Sequence, residues 1–149
     1  MGDVRMPSAI EPSQWFVVFH ETTKSRLVSL FAFGRFKHVT AFGYCAGFKA
    51  WLHVDPQFGR LRLSLLSQEQ AVALSRDAVL VKVAPACGIN FLGRIGLYCV
   101  PTIRYLLGLP CVALTPTGLY RQILRNGGIL IDGGYSEPSA VAGRPIPAN

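Results

Sequence analysis

Apolar and polar positions along this chain follow two different periods, one in its first half and another in its second. Trp15-Phe16-Val17-Val18-Phe19 is a run of aromatic and β-branched residues and predicts a strand. A polar break at Glu21–Ser25 follows it. The apolar stretch from Arg26 to Phe33 fits a short helix or a strand, since periodicity does not separate the two at this length. Lys37 to Tyr44 predicts a second strand, Ala46-Gly47 a turn, and Phe48 to Val54 a third strand that Asp55-Pro56 stops. From Arg60 to Leu65 the chain reads Arg-Leu-Arg-Leu-Ser-Leu, a strict alternation that predicts a half-buried strand.

Helical signals then take over. Ser67 and Gln70 have the spacing of a capping box, so a helix of about two turns is expected through Ala71–Arg76. Ala78 to Val83 predicts another strand, and the Pro- and Gly-containing segment from Pro85 to Gly96 a loop. Val100 to Leu107 is helical in composition. Pro101 is tolerated in its first turn, where a missing N–H costs nothing, and Gly108 stops it. Thr115-Pro116 is a second helix start. Leu119, Tyr120, Ile123 and Leu124 form its apolar stripe, and Asn126-Gly127-Gly128 ends it. Ile129 to Ile131 is expected as a last short strand. Strands first and helices later predict an α+β fold with an antiparallel sheet packed against helices. A length of 149 residues fits one domain, placed at 1–132 with 1–13 as a loose arm. The Gly-, Pro-, Ser- and Ala-rich stretch 133–149 is expected to be a flexible tail.

Composition narrows the function classes. Half the residues are hydrophobic and 15% are charged, which supplies a core and excludes a wholly disordered chain. Mean hydropathy is +0.34. However, the longest stretch free of Asp, Glu, Lys and Arg is Tyr105 to Tyr120, 16 residues broken by two prolines and two glycines. No membrane span is expected from it. The first residues carry no apolar core of a secretory signal, so a cytoplasmic location is the expectation. Fifteen Lys and Arg against eight Asp and Glu give a net charge of +7. The positive residues are scattered singly and no helix-turn-helix, zinc-finger or RNP-like pattern appears, so dedicated nucleic-acid recognition is not expected. A basic surface that loosely attracts polyanions is what the charge supports.

The four cysteines are Cys45, Cys87, Cys99 and Cys111. No pair has C-x-x-C spacing and no histidine lies at zinc-finger distance, so no metal or cofactor is implied. Without secretory context, free thiols are expected rather than disulfides. A nucleophilic thiol needs a thiolate, which the unsatisfied N–H groups of a helix N-terminus favour. Cys99 alone falls at a helix start. It also needs a base, and the base an orienting group. His38 and His53 lie on consecutive strands, where antiparallel pairing sets such residues side by side. His20, at the end of the first strand, is read as structural. Asp55 is by default a turn residue, although its carboxylate suits it to orient an imidazole.

These pieces, in this order, resemble the circularly permuted papain-like cysteine hydrolases, which include NlpC-type peptidases and lecithin:retinol acyltransferase-like enzymes. The matching segments are Phe36-Lys37-His38-Val39-Thr40-Ala41-Phe42, Trp51-Leu52-His53-Val54-Asp55-Pro56, and Cys99-Val100-Pro101-Thr102-Ile103-Arg104-Tyr105-Leu106-Leu107-Gly108-Leu109. With Leu114-Thr115-Pro116 and Leu119-Tyr120, the likeness extends to small proteins of tailed phages and prophages. The resemblance implies an antiparallel sheet against a helix that presents the cysteine. It implies Cys99 as nucleophile, His38 as base and His53 as orienting residue with Asp55 as the alternative. Backbone N–H groups near Cys99 and Val100 would hold the oxyanion. The implied reaction is hydrolysis or transfer at a peptide or amide bond through a thioester, on cell-wall peptide or a virion protein, in the cytoplasm of a bacterial host or in association with a virion. A non-catalytic phage accessory or structural protein on the same scaffold is the alternative. Two features depart from the family. Val100-Pro101 follows the cysteine where peptidase members carry a small polar residue, and Pro101 has no N–H to offer an oxyanion.

Overall fold

The computed structural model describes residues 12, 14–23, 33–84, 98–109 and 112–131. Its strands are β1 (Trp15–His20), β2 (His38–Cys45), β3 (Ala50–Gln57), β4 (Arg60–Leu66), β5 (Val79–Val83) and β6 (Ile129–Ile131). Its α-helices are α1 (Gln68–Ser75), α2 (Cys99–Leu106) and α3 (Pro116–Arg125). The strands form one sheet in the order β4-β3-β2-β1-β5-β6. Every ladder is antiparallel. The α+β architecture with an antiparallel sheet is therefore as the sequence predicts.

β1 is central, and Trp15 to Phe19 are all buried. The two-residue period of a strand divides them between two cores. Trp15, Val17 and Phe19 join Val39, Ala41, Val54, Val81 and the buried residues of α2 and α3 on one face. Phe16 and Val18 join Phe42, Trp51, Leu80 and Ala71 of α1 on the other. Thr40, His53 and Asp55 share the parity of Phe42 and Trp51, whereas Cys99 belongs to the core of the opposite face.

The helix starts follow from side-chain chemistry. Ser67 Oγ accepts from the Gln70 N–H while Gln70 Oε1 accepts from the Ser67 N–H, a complete capping box. Thr115 Oγ1 accepts from the Gly118 N–H ahead of Pro116, and Leu119 and Ile123 face the core. α2 begins at Cys99, with Tyr98 as N-cap and no side-chain cap. None of the described helices is long and apolar enough to cross a membrane.

Two expectations require correction. β3 does not stop at Asp55-Pro56 but runs on to Gln57, with Asp55 opposite Arg62 and Pro56 opposite Leu61. Pro56 is tolerated because the β2–β3 ladder extends only from Cys45↔Ala50 to Ala41↔Val54. Beyond Val54, β3 pairs with β4 alone, so a residue without an N–H breaks no rung on the β2 side. β2 meanwhile continues along β1 to His38↔His20. The two strands thus part like the tines of a fork. Second, β4 is not half-buried. It is the outermost strand, and Leu61, Leu63 and Leu65 are 51%, 59% and 60% exposed. The stretches 26–32, 85–96 and 133–149 lie outside the described residues, as do Cys87 and Cys111.

Candidate functional site

The fork between β2 and β3 is where the titratable side chains gather. His38 opens β2, and its Nε2 lies 2.8 Å from Asp55 Oδ1 on the diverging end of β3. Asp55 Oδ2 accepts a further bond, 3.1 Å, from Gln57 Nε2. With Nε2 taken up by the carboxylate, Nδ1 is the ring nitrogen left for a partner on the other side. Cys99, the first residue of α2, is the second group that raises the His38 pKa, by hydrogen bonding and by charge. Burial disfavours the charged imidazole. The bond to Asp55 and then the bond to Cys99 outweigh it, and the His38 pKa rises to about 9. The Asp55 carboxyl is held below its ordinary value, first by the bond from His38 and further by Gln57, against the effect of burial.

The helix start suits an anion. Tyr98 provides no side-chain cap, so the first N–H groups of α2 have no side-chain acceptor. Thr102 turns its hydroxyl back to the Tyr98 carbonyl at 2.9 Å and so does not compete for them. The Val100 side chain is fully buried in the core under the sheet, which pins the first turn. Pro101 contributes no donor, so the N–H groups of Cys99 and Val100 are the donors of that turn nearest the thiol.

His20 and His53 complete the cluster in different ways. The His20 ring stacks on that of His38 with centroids 5.9 Å apart, and its Nε2 lies 3.2 Å from Thr40 Oγ1. Burial first, and the neighbouring His38 second, push its pKa down to about 4. His53 is 8% exposed, and its Nε2 is buried without a hydrogen-bond partner. Burial lowers its pKa.

The orienting contact on His38 expected of His53 is thus made by Asp55, the alternative. The cause is the continuation of β3. Trp51, His53 and Asp55 alternate onto one face, and only Asp55 reaches past the ladder's end to the first residue of β2. The β1–β2 register, His20 opposite His38, also draws in His20, which no sequence pattern places there. Its one available signal was its position as the last residue of a strand adjoining the histidine strand.

The group opens into a cleft of about 1420 Å³ whose wall includes His20, His38, His53, Asp55 and Cys99. Phe58 and Leu114, both largely exposed, form apolar parts of its rim. Among the described residues no group of three or more His, Cys, Asp or Glu side chains is arranged to hold a metal ion. Comparison with protein-family models, with curated proteins and with solved structures finds no match to the chain.

Proposed function

We propose that the protein is a cysteine-dependent hydrolase or acyltransferase acting on peptide or amide bonds, with Cys99 as nucleophile, His38 as general base and acid, and Asp55 as the residue that orients His38. One observation carries this reading: an imidazole bonded to a carboxylate at 2.8 Å shares the wall of an open cleft with a thiol at a helix start. The triad logic of nucleophile, base and orienting group is met by side chains from α2, β2 and β3. The order of these segments along the chain supports a circularly permuted papain-like arrangement. Cell-wall peptide and virion proteins are the substrate candidates that the likeness suggests.

In this mechanism His38 carries its proton at rest, and the sulfur of Cys99, as the thiolate paired with it, attacks the carbonyl carbon of the scissile bond. The N–H groups of Cys99 and Val100 donate hydrogen bonds to the carbonyl oxygen as negative charge develops on it. Collapse of the tetrahedral adduct breaks the C–N bond. His38 gives its proton to the departing amine, leaving a thioester on Cys99. Water or an acceptor amine, deprotonated by His38, then attacks the thioester, and the product leaves with Cys99 restored as the thiolate beside protonated His38. Asp55 keeps Nε2–H bonded and so holds the ring in the tautomer that presents Nδ1 to sulfur. His20, with its depressed pKa, stays neutral beside the charged His38 and adds no second positive charge.

The test is site-resolved alkylation of the folded protein with iodoacetamide at pH 7, read by mass spectrometry. Both thiols are buried, but only Cys99 lines the cleft; it is expected to react at least tenfold faster than Cys45, at the far end of β2, and to lose that advantage in His38→Ala. Equal rates at Cys99 and Cys45, or no change in His38→Ala, would leave the scaffold-only alternative standing and overturn the catalytic reading.

A further inference from the structure

We infer that the outer edge of β4 is a self-association surface, on which a second copy of the chain adds its own β4 antiparallel about a twofold axis at Leu63. The inference is independent of the proposed chemistry. It begins with position, for β4 ends the sheet and no described strand lies beyond it. An edge strand presents a row of unpaired N–H and C=O groups to any strand that approaches. Natural edges are usually blunted by charged side chains, bulges, proline or shortness; here the charges, Arg60 and Arg62, lie on one face only. This one is seven residues long and contains no proline.

Its two faces differ sharply. Leu61, Leu63 and Leu65 stand opposite Pro56, Val54 and Leu52 of β3. They therefore share the face of the core that α2 and α3 cover, yet each remains more than half exposed. The stripe continues an apolar surface past the point where the helices stop. Scattered apolar residues on a surface mean little, but three leucines in a row along an unpaired edge form a patch.

The sequence of the strand then selects the occupant. Arg60-Leu61-Arg62-Leu63-Ser64-Leu65-Leu66 is nearly palindromic in its polarity about Leu63. Antiparallel pairing with its own copy about that residue sets Leu63 against Leu63, Leu61 against Leu65 and Leu65 against Leu61. Arg62 then faces Ser64 and Arg60 faces Leu66, so no arginine stands directly opposite another. Shifting the axis to Arg62 would oppose two like charges and offset the leucines. Directly opposed side chains are the unit of sheet stabilisation, and like charges there are unfavourable. The Leu63 register is the one in which both apolar contact and charge are satisfied by the same residues.

Two measurements test this. Sedimentation equilibrium of the full chain should show a reversible monomer–dimer equilibrium in the micromolar range. Leu63→Lys, which sets two ammonium groups face to face on the axis, should raise the dissociation constant at least tenfold with an unchanged circular dichroism spectrum. Independently, Leu63→Cys should form an intermolecular 63–63 disulfide on mild oxidation, identified by peptide mapping, and Ser64→Cys, which faces Arg62 of the other copy, should not. A wild-type chain that remains monomeric at 200 µM overturns the inference. So does a dimer indifferent to Leu63→Lys, or equal cross-linking at positions 63 and 64.

Discussion

At His38 two partners compete with burial for one proton. Asp55 contributes most to raising its pKa and Cys99 next. Asp55→Asn keeps a hydrogen-bond acceptor of similar shape but removes the charge, so the His38 pKa should fall from about 9 toward 6.5. Proton NMR titration of the imidazole resonances would show it, and an unmoved titration would mean that Asp55 is not the controlling partner. His53 poses the opposite case. Its Nε2 is buried with no partner, a condition that typically costs about 1–3 kcal/mol. His53→Phe, a ring of similar size with nothing to satisfy, should be neutral or stabilising in urea denaturation; a loss above about 2 kcal/mol would reveal a partner for the imidazole. Cys99 and His38 were legible in the sequence because each starts an element, and element starts have local signatures. Asp55 was legible only as the alternative to His53, since Pro56 after it reads as a stop wherever the neighbouring ladder is unknown. His20 was hidden more deeply, because only the β1–β2 register brings it to His38.

Among the elements, those with a local cause were the readable ones. The capping box of α1 and the Thr115-Pro116 start of α3 appear where the sequence places them. Ser67→Ala removes an N-cap whose side chain satisfies an otherwise orphaned N–H, and should lower stability by about 1 kcal/mol in chemical denaturation. A connection between distant parts of the chain sits at Gly34. Its φ is +99°, and a Cβ there would meet Thr117 Oγ1 at 2.6 Å. The same hydroxyl oxygen accepts from the Phe36 N–H at 3.0 Å, tying the entry to β2 onto the first turn of α3. Gly34→Ala combines left-handed strain with that clash and should cost more than 1 kcal/mol, visible as a lowered melting temperature. No sequence pattern announces this tie, because it depends on residues 81 positions apart. The exposure of β4 was unreadable for a related reason. Alternation tells which residues share a face, but not whether anything covers that face.

For the molecule as a whole, the buried histidines set opposing slopes of stability against pH. His38 binds a proton in the folded state up to about pH 9, whereas its ordinary value is 6.5. Between those values the native state holds a proton that the unfolded chain has lost, so stability falls as pH rises from 6.5 to 9. His20 resists protonation down to about 4, so the unfolded chain takes up its proton first and stability falls as pH drops from 6.5 toward 4. His53 and the low-titrating Asp55 add to the acid limb. Unfolding free energy should therefore peak near pH 6.5. A urea series across pH 4 to 10 would read it, and a plateau extending to pH 9 would show that His38 is not held protonated.

The fork between β2 and β3 gives that titration a mechanical side. Past Ala41↔Val54 the two strands share no backbone rung, and the His38–Asp55 bond spans the opening. It works as a clasp made of side chains, fastened while one member carries a proton and the other a charge. Loss of that proton above about pH 9, or of that charge in Asp55→Asn, removes the ionic part of the clasp and leaves a neutral or singly charged hydrogen bond across the opening.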